Sequence, residues 1–353
     1  MSVADQAPRF ASRFDRWIWS ERIPTAWWIV GLILLFLPIV ANNFWLFQVM
    51  GWTFILGMIG LSLMFLAGYG GMVSLLQMSI AGMAGYMVAI LGPSGAHNVS
   101  LGLSWWVVLP AAFLIAALFA TISGALAVRT EGIYTIMITL AIAAAFFYFT
   151  RQNYSIFNGY SGFNLVLPPQ LFGVNWRDPL PFYYLSLACA ALCYGAVVYI
   201  ARSPFGLALQ GVRDNPRRMA ALGFNVTAHR VAAYALASVF ASTGGILLVW
   251  QNAQIAPGTI GIASAIDVLV VAVVGGMRRP LGPFIGAFIY VLLQVFSADI
   301  LGFFGFSVDR FKLIIGIGFL AVVLFSPDGV LGLWDRWRAR VAARKPDITG
   351  GGA

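Results

Sequence analysis

Apolar residues run along this chain in long unbroken blocks. Ten blocks can be marked, at roughly residues 26–41, 45–66, 71–91, 105–127, 132–149, 182–201, 231–250, 263–277, 283–298 and 312–326. A helix needs about 20 apolar residues to cross the hydrocarbon core of a bilayer. The period-two alternation of a membrane barrel is missing, and a helix satisfies its own backbone in lipid. The pattern predicts an all-α polytopic membrane protein of about ten transmembrane segments. Several blocks are short for a full crossing, which is tolerated where a segment is buried in protein or lines a cavity. The eighth and ninth blocks are the foremost candidates, because Gly275, Gly276, Pro280, Gly282 and Pro283 crowd their junction.

Composition leaves no room for a soluble domain. Of 353 residues 61% are hydrophobic and 9% charged, against about 25% charged in soluble proteins. Between Ile23 and Val128 there is no Asp, Glu, Lys or Arg. The chain divides into an N-terminal segment (1–24), a transmembrane domain (25–335) and a basic tail (336–353). In the first of these, Phe10, Phe14, Trp17 and Trp19 interleave with Arg13, Asp15 and Arg16. That reads as a short helix in the headgroup layer before the chain turns inward at Pro24. No small-residue cleavage site marks a signal peptide. The tail ends in Gly350, Gly351 and Gly352 and is expected to be mobile.

Charge sets the orientation. With ten crossings both termini share a side, and that side takes every Lys and Arg except Arg151, Arg177, Arg310 and Lys312. Basic residues collect in the cytoplasm, so both termini are placed there. The same asymmetry accounts for the net charge of +9. Because the basic residues are spread over membrane-flanking loops, the partner they imply is the lipid bilayer and not nucleic acid.

Candidate chemistry is sparse. Cys189 and Cys193 lie four apart with no His or acid nearby, which makes packing residues and not a metal site. His97 and His229 fall on opposite sides of the predicted membrane, which argues against an embedded enzyme. Lys312 and Lys345, the two lysines, complete no phosphate-binding Gly-x-x-x-x-Gly-Lys-Ser/Thr loop. No catalytic residue and no cofactor of the chain's own is expected. Inside the apolar blocks Ser74, Gln77, Thr135, Thr139 and Asp267 are candidates for a polar translocation path. Each is equally open to an interhelical hydrogen bond, and Asp267 to a dipole contact in the first turn of its helix. Asp267 is the acid placed within a block; an ion-coupled transporter or channel usually needs ionisable groups at mid-membrane, so that reading stays an alternative.

The most informative stretch is the inside loop of about 202–230. Ser203-Pro204 is an N-cap followed by proline at the first helical position. Phe205, Ala208, Leu209 and Val212 then mark one apolar helix face. Asn215-Pro216 repeats the start, and Gly223 stops the second helix. Two capped helices carrying Arg213, Arg217 and Arg218 predict a rigid knuckle, suited to docking or to packing under the membrane domain.

The run SPFGLALQGVRDNPRRMAALGFNV resembles the cytoplasmic coupling loop of LivM-type permease subunits of branched-chain amino-acid ABC importers. The correspondence lies at Ser203, Phe205, Gly206, Ala208, Leu209, Arg213, Asn215, Ala220, Ala221, Leu222 and Gly223. Further blocks in the same order resemble that family at Gly71, Ser74, Leu75, Gly82, Gly85 and Tyr86, and at Gly132, Ile133, Tyr134, Thr139 and Leu140. LFSPDGVLG resembles its closing block. Leu76, Asn158, Tyr160, Arg278 and Arg279 depart from the family pattern. The resemblance implies a bacterial inner-membrane importer subunit. Its partners would be a LivH-type sister permease, two ATP-binding subunits that hold ATP-Mg, and a periplasmic binding protein. Ser203, Phe205, Gly206, Leu209, Arg213, Asn215, Arg217, Ala220 and Gly223 would couple it to the ATPases. Branched-chain amino acids are the default cargo, and urea or short amides the alternative.

Overall fold

The computed structural model describes residues 25–94, 100–169, 173, 175–303, 316, 329, 330 and 332. Twelve helices can be followed in this part of the chain. They are α1 (Thr25–Phe36), α2 (Trp45–Tyr69), α3 (Gln77–Leu91), α4 (Trp105–Ala127), α5 (Ile133–Gln152), the single turn α6 (Tyr154–Phe157), α7 (Pro179–Arg202), α8 (Pro204–Asp214), α9 (Pro216–Ala221), α10 (Val226–Asn252), α11 (Ile262–Gly275) and α12 (Gly282–Phe303). Among the described residues, α2, α4, α5, α7 and α10 are long and apolar enough to cross a membrane. Helices α3 and α11 are shorter apolar helices. The tenth predicted block, the N-terminal aromatic segment and the basic tail lie outside the described residues, Gly316 excepted.

Helix α2 is the hub, with nearly all of it buried. It packs against α10 and α12, and α10 in turn packs against α3 and α4. The outer helices show an inverted pattern. In α4 the buried positions are small, Ala112, Ala116 and Ala120, while Leu114, Leu118 and Ile122 are exposed. Lipid is as apolar as leucine, so the large side chains gain nothing by turning inward. Small ones let helices approach closely.

The ends of α2 are wound wider than the α-helix between them. Residues Trp45–Gly51 and Phe65–Tyr69 form π-helical turns. At the first, Gln251 Nε2 donates to the Phe47 carbonyl over 2.6 Å, satisfying a group that the irregular winding releases. At that end of the bundle a two-stranded antiparallel ribbon joins β1 (Phe163–Asn164) to β2 (Gln254–Ile255), with Phe163 opposite Ile255. Asn158, which departs from the resembled pattern, sits at φ 56° and donates to the Gly162 carbonyl over 2.6 Å. Asparagine tolerates that left-handed backbone better than most residues.

Candidate functional site: a broken membrane segment beside a two-helix knuckle

The third apolar block is not one helix. After Tyr69 the chain passes Gly71 at φ 68° and runs without helix through Met72–Ser74 and a turn to Leu76. Only at Gln77 does α3 begin. A Cβ at Gly71 would meet Arg213 Cγ at 2.6 Å. Glycine thus serves both the positive φ, which costs L-residues, and the close approach of the arginine stem.

The break is held by side chains from three helices. Ser62 Oγ on α2 donates to Gln77 Oε1 at 2.9 Å and lies 2.6 Å from the Ile59 carbonyl. The Leu75 N–H donates to Thr139 Oγ1 of α5 at 3.2 Å, and the Leu76 N–H to Ser74 Oγ at 3.3 Å. Ser74, Gln77 and Thr139 are all buried. Irregular backbone inside a membrane domain needs such partners, since no water supplies them. Removing the Thr139 hydroxyl strands a buried N–H at a cost of about 1–3 kcal/mol. Thr139→Val is therefore expected to unfold at lower temperature in detergent than Thr139→Ser, which keeps the hydroxyl. Equal melting of the two variants would refute this role.

The other two path candidates lie elsewhere. Thr135 Oγ1 donates to the Thr130 carbonyl at 2.8 Å, closing the turn that leads into α5. Asp267 is the sixth residue of α11, not a member of its first turn, so the expected dipole contact is not its explanation. Its carboxylate instead takes a hydrogen bond from the Tyr290 hydroxyl of α12. The junction between these helices was correctly singled out. A Cβ at Gly275 would lie 1.8 Å from the Gly282 carbonyl oxygen, and one at Gly286 1.9 Å from that of Val271.

The knuckle forms as its caps predict. Ser203 Oγ accepts from the Gly206 N–H, starting α8, and Asn215 Oδ1 accepts from the Arg218 N–H at 3.0 Å, starting α9. Gly223 follows α9 at φ 91°. Ala208, Leu209 and Val212 are buried under the membrane domain. Gly206 is required because a Cβ there would meet the Ile200 carbonyl at 2.1 Å. Phe205 stacks on His229 at 5.8 Å between ring centres, and Phe224 meets the same ring edge-on at 5.6 Å.

Arg213 does not face outward. Its Nη1 donates to the Gly68 carbonyl in the wide turn that ends α2, and its Nε donates to Asp214 at 2.8 Å. It ties the knuckle to the residues that begin the break. The outward surface is α9, none of whose residues is buried, with Arg217, Arg218, Ala220, Leu222 and Phe224 exposed. Leu222 is 67% exposed, and this apolar tip was passed over in the sequence because it follows the last regular helix position. At the far end, two shallow grooves meet at Gln152 and Tyr154. Beside them the Arg151 guanidinium lies 5.5 Å from the centre of the Tyr160 ring.

These features define a multi-pass helical membrane protein with an internally broken segment. The chain belongs to the family described as branched-chain amino acid transport system / permease component, whose model matches residues 45–323. It is similar to the high-affinity branched-chain amino acid transport system permease protein LivM of Salmonella typhimurium, at 24% identity over 77% of this chain and 65% of that protein. The LivM protein of Escherichia coli matches to the same extent. A probable branched-chain amino acid transport permease protein LivH of Methanocaldococcus jannaschii is 29% identical over 41% of this chain and 46% of its own length. The chain thus spans 65% of the length of the two LivM relatives. No solved structure matches it.

Proposed function

We propose that this chain is the permease subunit of an ATP-binding-cassette importer in the bacterial inner membrane, with ten crossings and both termini in the cytoplasm. It would carry branched-chain or related amino acids delivered by a periplasmic binding protein. It would pair with a LivH-type sister permease, and two ATPase subunits would bind ATP-Mg and supply the work. The chain itself performs no covalent chemistry.

The observation that carries this reading is the continuous link from knuckle to break. A displacement of α9 reaches α8 through their packing. From α8 it passes through Arg213 to Gly68 and Gly71, at the entry to residues 72–76. Conformational work is transmitted through contiguous packed elements with discrete arrangements. The knuckle is a lever in that sense, and the break is the element it would move.

The test is mass spectrometry of the proteins that co-purify with the tagged chain from its native membrane in mild detergent. A second permease and two ATP-binding subunits are expected. Recovery of the chain alone, or only with itself, would overturn the reading in favour of an ion-driven carrier.

A further inference from the structure

Helix α3 begins in the interior of the protein. Ser62 and Gly68 are six residues apart on α2, which places Ser62 about 9 Å along the helix from the Arg213 contact. Gln77 hydrogen-bonds Ser62, so the first turn of α3 starts at that depth. The first N–H groups of any helix lack intrahelical partners. Here the N-cap is Leu76, fully buried, and no side chain caps the turn. The turn carries roughly half a unit of positive charge. A second observation is independent of the helix. Gln77 is 1% exposed, and with Oε1 turned to Ser62 its Nε2 has no partner. Buried amide donors are rarely left so, because the loss of hydration is not repaid.

We propose that the first turn of α3 together with the Gln77 carboxamide is a carboxylate subsite on the translocation path, holding the anionic end of a zwitterionic amino acid part-way across. The inference rests on the importer reading above. A carboxylate entering this depth loses its water and needs donors in exchange. The subsite offers backbone and amide N–H groups and the end of a dipole, with no formal cation. An arginine in the same place would bind the carboxylate in a strong bidentate pair and slow its release. A partial charge matches a step that the solute must leave. The break makes the subsite possible, since a continuous third helix would bury these N–H groups in its own hydrogen bonds.

The test is leucine uptake into proteoliposomes holding the assembled transporter and its binding protein, with equal pH on both faces. Gln77→Glu is nearly isosteric. At about pH 8 the ionised side chain repels the substrate carboxylate and removes the amide donors, and uptake is expected to fall by about tenfold or more. A buried carboxyl titrates above its ordinary value. As pH falls towards about 5 the side chain becomes a neutral O–H donor, and uptake should recover towards wild type, while leucine keeps both charges throughout. Gln77→Leu, which has no donor, should lose uptake at every pH. Absence of leucine uptake by the wild-type assembly would sink the importer reading itself. With the wild type active, three results would overturn the subsite. One is Gln77→Glu uptake equal to or above wild type at about pH 8, which would mean that the carbonyl side of the amide faces the path. Another is a loss that pH does not relieve in a folded, assembled complex, which would make Gln77 a packing residue. The last is undiminished uptake by Gln77→Leu.

Discussion

Replacing Gly245 by leucine is expected to remove folded protein from the membrane, with monodisperse material in detergent falling below about a tenth of wild type. Gly245 lies on α10 where it crosses α3. A Cβ there would stand 2.0 Å from the Ala81 carbonyl oxygen and 2.5 Å from its carbon. The obstacle is backbone in the middle of a helix, which cannot swing aside as a side chain can. Overpacking typically costs about 1–3 kcal/mol and more where nothing relaxes, and here α3 must separate from α10 along its length. The same crossing holds Gly85 against Val249 and Ile255, so the damage spreads to the outer end of α3. Gly195→Leu is the matched control, since a Cβ there meets nothing within 4 Å. Its yield should stay near wild type. Equal yields of the two variants would show that α3 and α10 do not pack as described.

Arg213→Glu is expected to reduce leucine uptake by cells about tenfold or more, while the protein still folds and assembles. The guanidinium donates to the Gly68 carbonyl, and its stem fills the space left by Gly71. A carboxylate in its place faces a carbonyl oxygen and Asp214 with no proton to offer. Hydrogen bonds to charged groups contribute about 1.5–3 kcal/mol. That is enough to release the knuckle from α2 but not to unfold a domain whose core lies elsewhere. Leu209 and Val212 remain buried and keep α8 seated. The loss should therefore appear in transport and not in yield. Arg217→Glu, on the exposed face of α9, should instead weaken recovery of the ATP-binding subunits. Uptake of Arg213→Glu within about twofold of wild type would exclude Arg213 as the link between knuckle and break.

The departure at Arg213 shows where sequence reading stops. Its neighbours in the chain mark a solvent-facing loop, and a positive charge there reads as a docking residue. Nothing local says that the carbonyl of Gly68, released by a π-helical turn, stands within reach. Asp267 is a similar case, since its tyrosine partner belongs to the next helix. Within the third block, Gly71-Met72-Val73-Ser74-Leu75-Leu76 has the composition of a membrane helix. Extended and helical backbones bury those side chains equally well, so hydropathy could not reveal the break.

What the sequence determined by itself is whatever depends on solvent and on neighbours a few residues away. Apolar blocks too long for a soluble core dictated a bilayer setting. The block at 105–127 coincides with α4, because charge-free flanks and loop residues bound it on both sides. Ser203-Pro204 and Asn215-Pro216 fixed the starts of α8 and α9, since a cap and a preset φ act within one turn. Only the tertiary structure decided that α3 starts inside the protein, that Ser62 and Thr139 sustain the break, and that Arg213 reaches Gly68. Those contacts join residues tens of positions apart, and their partners are backbone groups that every residue carries and no sequence pattern distinguishes.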